Sequence, residues 1–199
     1  MPNLTLYNGP NSPFGRKSKV TAIIQNINVN EKVIKVQESE FLDKFNPLRK
    51  IPTLVVNDNQ TITDSDNICL YFDEISSNET LFSKENYWEI MSVVSIANGL
   101  MESVLERRME IIRPKNEQSK NFIDKQEVRS MRTIQWIENN WANFENTRVS
   151  MDQIAVAVAL EYTKFRFTDK WSEKCVKLKN WLYEFNENQF MKDTIPREA

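Results

Sequence analysis

The chain contains no histidine. That single absence removes Ser-His-Asp hydrolysis, Cys-His proteolysis, HExxH zinc chemistry and every imidazole acid or base. Cysteine is almost absent too, with Cys69 and Cys175 the only two and no CxxC pair. Without imidazoles or paired thiols, no metal site is expected. Both cysteines lie in apolar helical surroundings, Ile68-Cys69-Leu70-Tyr71-Phe72 and Cys175-Val176, and read as buried, inert thiols. Long hydrophobic runs are missing as well. The longest, Ile154 to Leu160, has seven residues, where a membrane span needs about 20. Met1-Pro2-Asn3 carries no basic start, and the apolar stretch after it is too short for a secretion signal. A net charge of -2 gives no general reason to bind nucleic acid or an anionic membrane. Repeats and low-complexity segments are not evident. These absences together predict a soluble, cytoplasmic protein.

What is present begins at Leu4. Leu4 and Leu6 alternate with Thr5 and Tyr7, which predicts a half-buried strand. Asn8-Gly9-Pro10-Asn11 breaks it, and Ser12-Pro13 then opens a helix. Pro13 suits the first helical position, and Ser12 is a preferred N-cap. A hydroxyl at a helix start directly after a strand either caps the helix or serves a bound anion, which the helix dipole also favours.

The helix from Pro13 to about Ile27 places Val20, Ile23, Ile24 and Ile27 on one stripe, with Arg16, Lys17 and Lys19 away from it. Glu31 to Val36 reads as a second strand and Glu38 to Phe45 as a short helix stopped before Pro47. Thr53-Leu54-Val55-Val56 and Gln60-Thr61-Ile62-Thr63 form a hairpin around Asn57-Asp58-Asn59, residues that tolerate positive φ. Asp64 or Ser65 starts a helix to about Ser76. The order βαβαββα predicts a small mixed sheet with a helical crossover.

The polar stretch Ser76-Ser77-Asn78-Glu79-Thr80 marks a boundary, and no strand signal follows it. The expected domains are 1–76 and 87–199, with a linker at 77–86. Helices are expected over Tyr87 to Ile112 and Gln118 to about Phe144. Val149-Ser150-Met151-Asp152-Gln153-Ile154 combines an N-cap, a capping box and a hydrophobic staple. The helix it starts is apolar on all sides and should run through the middle of the second domain. Leu178, Trp181, Leu182 and Phe185 mark a last helix, their aromatic stripe belonging to the core.

Three segments in this order resemble the soluble glutathione transferases. Ser12-Pro13-Phe14-Gly15-Arg16-Lys17 is similar to the S/C-P-F-x-R-K active-site turn of bacterial members. Asn46-Pro47-Leu48-Arg49-Lys50-Ile51-Pro52-Thr53-Leu54 resembles the N-P-x-x-K-V-P-x-L segment, and Asp64-Ser65-Asp66-Asn67-Ile68 the E/D-S-x-A-I glutathione turn. The resemblance spans essentially the whole chain. It implies an α/β thioredoxin-like N-terminal domain followed by an all-α helical bundle.

It further implies glutathione as substrate, no metal, and a homodimer acting in detoxification. Ser12 would donate a hydrogen bond to the glutathione thiolate, with Tyr7 as the alternative. Pro52 would be cis and turn the Ile51 backbone toward the cysteinyl unit of the peptide. Asp64 and Ser65 would hold the γ-glutamyl end at a helix start, and Lys50 the glycyl carboxylate. Arg16 either approaches the peptide or braces the turn. A small electrophile is expected near Met101, Leu105, Arg108 and Met109. Serine in place of cysteine at position 12 rules out a mixed disulfide through that residue. Three departures stand out: Asp64 for the more usual Glu, Asn67 for a small alanine, and Gln153 for an aspartate. The rival reading is a non-enzymatic binding, stress-response or regulatory protein of the same fold.

Overall fold

The computed structural model describes residues 2–145 and 148–198; Met1 and Ala199, the outer ends of the two expected domains, lie outside them. Leu4–Asn8 forms β1, Pro13–Ile24 α1, Asn30–Val33 β2, Thr53–Val56 β3, Gln60–Thr63 β4 and Ser65–Ile75 α2. The sheet order is β2-β1-β3-β4, with β1 parallel to β2 and antiparallel to β3, and β3 antiparallel to β4. This is the mixed sheet with crossover and hairpin that the sequence predicts. Asn57 and Asp58 in the hairpin loop have φ of 48° and 62°.

The sheet is covered on both sides, so β1 is buried along its whole length rather than half-buried. Leu4 and Leu6 pack with Ala22 of α1, Leu54 and Val56 of β3, and Ile68 and Phe72 of α2. Tyr7 and Val55 point the other way, onto Leu42, Ile34, Phe45 and Ile51. The cover on that second face is not the expected helix over Glu38 to Phe45. It consists of two short 3-10 turns, Val36–Glu38 and Glu40–Lys44, interrupted at Ser39. The Ser39 hydroxyl donates to Lys35 O at 2.7 Å, the local back-bonding by which serine competes with regular helix.

The apolar stripe read for α1 is also revised. Val20 is fully buried, but Ile23 is 40% exposed, while Lys17 has no exposure at all. The face that is covered carries Lys17, Thr21 and Gln25, spaced by four, and α2 meets it with Asp66, Cys69 and Asp73. Lys17 pairs with Asp66, Thr21 Oγ1 lies 3.3 Å from Cys69 Sγ, and Gln25 Nε2 donates to Asp73 Oδ1 at 2.5 Å. Polar side chains bury stably when each meets a complementary partner, so periodicity of apolar residues alone misreads this helix. Asp73 also accepts from Leu81 N at 2.8 Å and from the Thr80 hydroxyl at 2.5 Å, which fastens the chain after α2.

The remaining elements are helical: α3 (Tyr87–Ile111), α4 (Lys120–Asn140), α5 (Met151–Arg166), α6 (Val176–Phe185) and the short α7 (Gln189–Lys192). Two compact units result, Met1–Phe82 with Phe190–Ala199, and Ser83–Gln189. In the second, every α5 residue from Met151 to Leu160 is buried, and α5 packs chiefly on α3. Its capping box is formed, Gln153 Oε1 accepting from Ser150 N at 3.1 Å. α4 stops short of Phe144 because Trp141 leaves the helix: its ring stands perpendicular to Trp181 at 4.7 Å, and its Nε1 donates to buried Asp152 at 2.8 Å. No helix among the described residues is long and apolar enough to cross a membrane.

Cys69 and Cys175 are both buried and unpaired with each other as a disulfide. Desolvation pushes the Cys69 thiol up to about 11, and burial raises that of Cys175 as well. Two outcomes are expected. Thiol-specific labelling at pH 8 should be slow in the native protein and become fast on unfolding, read by the colour of the released thiol reagent. In urea unfolding, Asp66→Ala should cost about 3–5 kcal/mol, because it takes the carboxylate from a fully buried ammonium, whereas Lys17→Met should cost less than half as much.

Candidate functional site

The register of the sheet brings three separated segments to one end. β1 runs into the Ser12 turn after Asn8, and Tyr7 lies opposite Thr53, the first residue of β3. Ile51 and Pro52 therefore sit just beyond that end. Thr53 in turn lies opposite Thr63, the last residue of β4, so Asp64 and Ser65 emerge at the same end.

Ser12 is the N-cap of α1, in extended conformation, with Pro13 at the first helical position. Its Oγ accepts from Gly15 N at 3.1 Å. Accepting uses a lone pair and leaves the hydroxyl proton to donate elsewhere, so capping and ligand contact are compatible at this residue. The first turn of α1 contains no acidic side chain to compete for the helix terminus.

Two glycines fix the turn by what they lack. A Cβ on Gly15 would stand 1.5 Å from Asn8 Oδ1, and one on Gly9 would stand 2.8 Å from Ile51 Cδ1. The first turn of α1 thus rests directly on the end of β1, and the Ser12 turn rests on the loop before β3. Asn8 is held in that position by donating to Glu31 Oε1 at 2.9 Å.

The Ile51–Pro52 peptide bond is cis, as the resemblance implies. Its loop is organised by Asn46, which is 3% exposed. Asn46 Nδ2 donates to Lys50 O at 3.0 Å and to Thr53 Oγ1 at 2.9 Å, and the Thr53 hydroxyl donates to Lys50 O at 2.8 Å. Nothing in the local sequence around Asn46 marks this role, because its partners Lys50 and Thr53 are met only once the loop folds. Lys50 itself is exposed, and Ile51 is half-buried.

Asp64 caps α2 with φ 71° and ψ 134°, and its Oδ1 accepts from Asp66 N at 2.7 Å. A positive φ in this range is a strained backbone for a non-glycine residue, at a cost of about 1–3 kcal/mol. Ser65 follows it at 4% exposure. Tyr7 is 9% exposed, its ring 5.3 Å from Phe41 and 5.9 Å from Phe45, and so forms part of the core on the second face of the sheet.

The four electrophile candidates lie on α3 in the second unit. Met101 is fully buried, Leu105 and Arg108 are half-buried, and Met109 is 49% exposed. Beside Ser12, a cavity of about 330 Å³ opens whose walls include Arg16, Lys19, Glu31, Thr194 and Arg197. Lys19 and Glu31 form an ion pair across it at 2.6 Å. Arg16 is 6% exposed and turned toward the C-terminal segment. No group of three metal-ligating side chains is found among the described residues.

Residues 6–80 match the family described as the glutathione S-transferase N-terminal domain. A glutathione transferase family member from Pseudomonas fluorescens Pf-5, crystallised with bound glutathione, aligns at a TM-score of 0.93 and 25% identity, over 98% of this chain and 100% of that one. A glutathione S-transferase from Methylobacillus flagellatus KT, solved with glutathione bound, gives 0.90 at 24% identity over 98% and 100%. Over 194 residues, 94% of this chain and 93% of the other, the sequence is 25% identical to the uncharacterized GST-like protein YibF of Escherichia coli (strain K12). The chain therefore has the fold of the glutathione transferases, and residues 6–80 are similar to their N-terminal domain.

Proposed function

We infer that the chain is a glutathione transferase, using Ser12 to hold the glutathione sulfur as thiolate for attack on a small electrophile. The observation that carries this reading is the convergence of the Ser12 turn, the Ile51–Pro52 loop and the Asp64–Ser65 helix start at one end of the sheet. The Pseudomonas fluorescens relative, which binds glutathione, supports the same ligand for this chain.

In this mechanism glutathione lies along the loop before β3, its γ-glutamyl carboxylate at the N-terminus of α2 beside Ser65 and its glycyl end toward Lys50. The sulfur faces the Ser12 hydroxyl. A hydrogen bond donated to the thiolate, together with the positive end of α1, favours the charged form and lowers the thiol pKa. The thiol proton passes to solvent, since the chain has no histidine to take it. The thiolate then forms a carbon–sulfur bond with the electrophile, whose leaving group departs with the displaced electron pair. No protein residue is covalently changed, and neither buried cysteine takes part.

The protein should be retained on immobilised glutathione and should conjugate 1-chloro-2,4-dinitrobenzene. Retention without turnover of this or any other electrophile would favour the non-enzymatic binding reading. Ser12→Ala should raise the pKa of bound glutathione, followed by thiolate absorbance, and lower kcat/KM near pH 6.5 about a hundredfold. The loss should shrink as pH rises past the pKa of the free thiol, because the thiolate then forms without help. If Ser12→Ala is silent while Tyr7→Phe abolishes activity, the role belongs to Tyr7. Asp64→Gly separates strain from binding. It relieves the positive φ while glycine remains an acceptable cap, so stability in urea should hold or rise by about 1 kcal/mol. Glutathione affinity, measured by calorimetry, should fall about tenfold.

A further inference from the structure

Arg16 stands four residues after Ser12, in the opening turns of α1, and its backbone N–H donates to Ser12 O at 2.9 Å. Its guanidinium reaches the C-terminal segment. Nε donates to Thr194 Oγ1 and Nη2 to Met191 O, both at 3.3 Å. Met191 belongs to α7 and Thr194 lies two residues past its end; Met191 O also accepts from Thr194 N at 3.3 Å, so the fork of Arg16 joins two acceptors that are themselves bonded to each other. Thr194 is itself pinned, its hydroxyl donating to Phe190 O at 2.8 Å. On the other side of the turn, Arg197 N donates to Pro10 O at 3.5 Å. The chain end thus touches the Ser12 turn both before and after Ser12, and it belongs to the same compact unit as the sheet.

We propose that residues 190–197 form a clasp on the Ser12 turn, with Arg16 as its positioning residue, and that this clasp sets how strongly the glutathione thiol is acidified. The proposal rests on the Ser12 reading given above. A hydroxyl acidifies a thiol only when its proton is held on the line to sulfur, and hydrogen-bond strength falls steeply with distance and angle. The turn from Gly9 to Ser12 is a loop, and loops move unless anchored. Arginine supplies the anchor better than lysine would, because its planar fork engages two acceptors at once in a fixed geometry. Arg16 touches neither the sulfur nor the peptide in this scheme; it acts through the position of Ser12.

The test uses the full chain and three variants: Thr194→Val, Arg16→Lys and Arg16→Met. Thr194→Val removes one acceptor and leaves the charge of Arg16 in place. It should raise the pKa of bound glutathione by about one unit, which lowers kcat/KM at pH 6.5 about tenfold and leaves it within about twofold at pH 9. Arg16→Lys should give an intermediate shift and Arg16→Met the largest. Hydrogen exchange of the Gly15 and Arg16 amides, which donate to Ser12 Oγ and O, should quicken in the same order without any ligand present. If Arg16→Met fails to fold, Thr194→Val carries the test alone. Wild-type exchange and wild-type thiol pKa in Thr194→Val overturn the clasp. So does a shift confined to Arg16→Met, which assigns the effect to charge rather than position. A wild-type protein that binds glutathione without lowering its thiol pKa sinks the Ser12 reading instead, and the exchange rates then still decide whether the clasp holds the turn.

Discussion

The first turn of α1 can lie on the end of β1 only because Gly15 has no side chain. Asn8 occupies the place a Cβ would take, and Asn8 is not at liberty to leave it. Its amide is tied to Glu31 of β2, and the other oxygen of Glu31 is tied to Lys19 of α1 at 2.6 Å. One carboxylate therefore connects the central strand, the edge strand and the helix around the start of α1. The position of Ser12 follows from that arrangement, since its Oγ is bonded to the amide of the same Gly15. The residue between Phe14 and Arg16 is thus one whose missing side chain leaves room for the Asn8 amide.

A site of this kind suits a protein without histidine. Thiol activation at neutral pH needs either a base to remove the proton or an environment that prefers the anion once it forms. In the proposed function the chain uses the second: a donor hydroxyl, a helix terminus and no carboxylate in the first turn of α1. Its own thiols are kept out of the chemistry by the same physics run backwards. Cys69 sits where burial opposes ionisation strongly enough to override the nearby Lys17 charge and the Thr21 contact. In the proposed function the glutathione sulfur is held charged by a hydrogen bond and a helix terminus, while desolvation keeps Cys69 neutral.

Local features of the fold were legible in the sequence because they depend on neighbours in the chain. The alternation in β1, the hairpin with Asn57 and Asp58, the Ser12-Pro13 cap and the Ser150–Gln153 box all involve residues within a few positions of one another. What escaped notice depends on partners far away. Lys17 reads as a surface residue until α2 brings Asp66 against it, and no spacing within α1 announces that. The return of residues 190–199 to the first unit is similarly silent, because its partners, Pro10 and Arg16, lie almost the whole chain away. Among the candidate site residues, the serine, the proline and the helix start are named from motifs, and of these the structure bears on the proline, whose peptide bond is cis. Asn46 and Arg16, which shape two of those segments, are visible only through their hydrogen bonds.

Asp64 shows what the exchange of a glutamate for an aspartate does physically. The shorter side chain cannot reach far from its own backbone, and its Oδ1 is committed to the amide of Asp66. That bond satisfies an orphan donor of α2, and in the proposed function the second carboxylate oxygen meets the ligand. The backbone here stands at φ 71°, a conformation that the surrounding structure must impose. A longer glutamate would carry its charge further but on a side chain with one more rotatable bond to freeze when ligand binds. Aspartate at this position surrenders reach and gains rigidity, with the carboxylate already fixed by the helix it caps before any ligand arrives. The strain is then the cost of preorganisation, stored in the folded protein rather than met at the moment of binding.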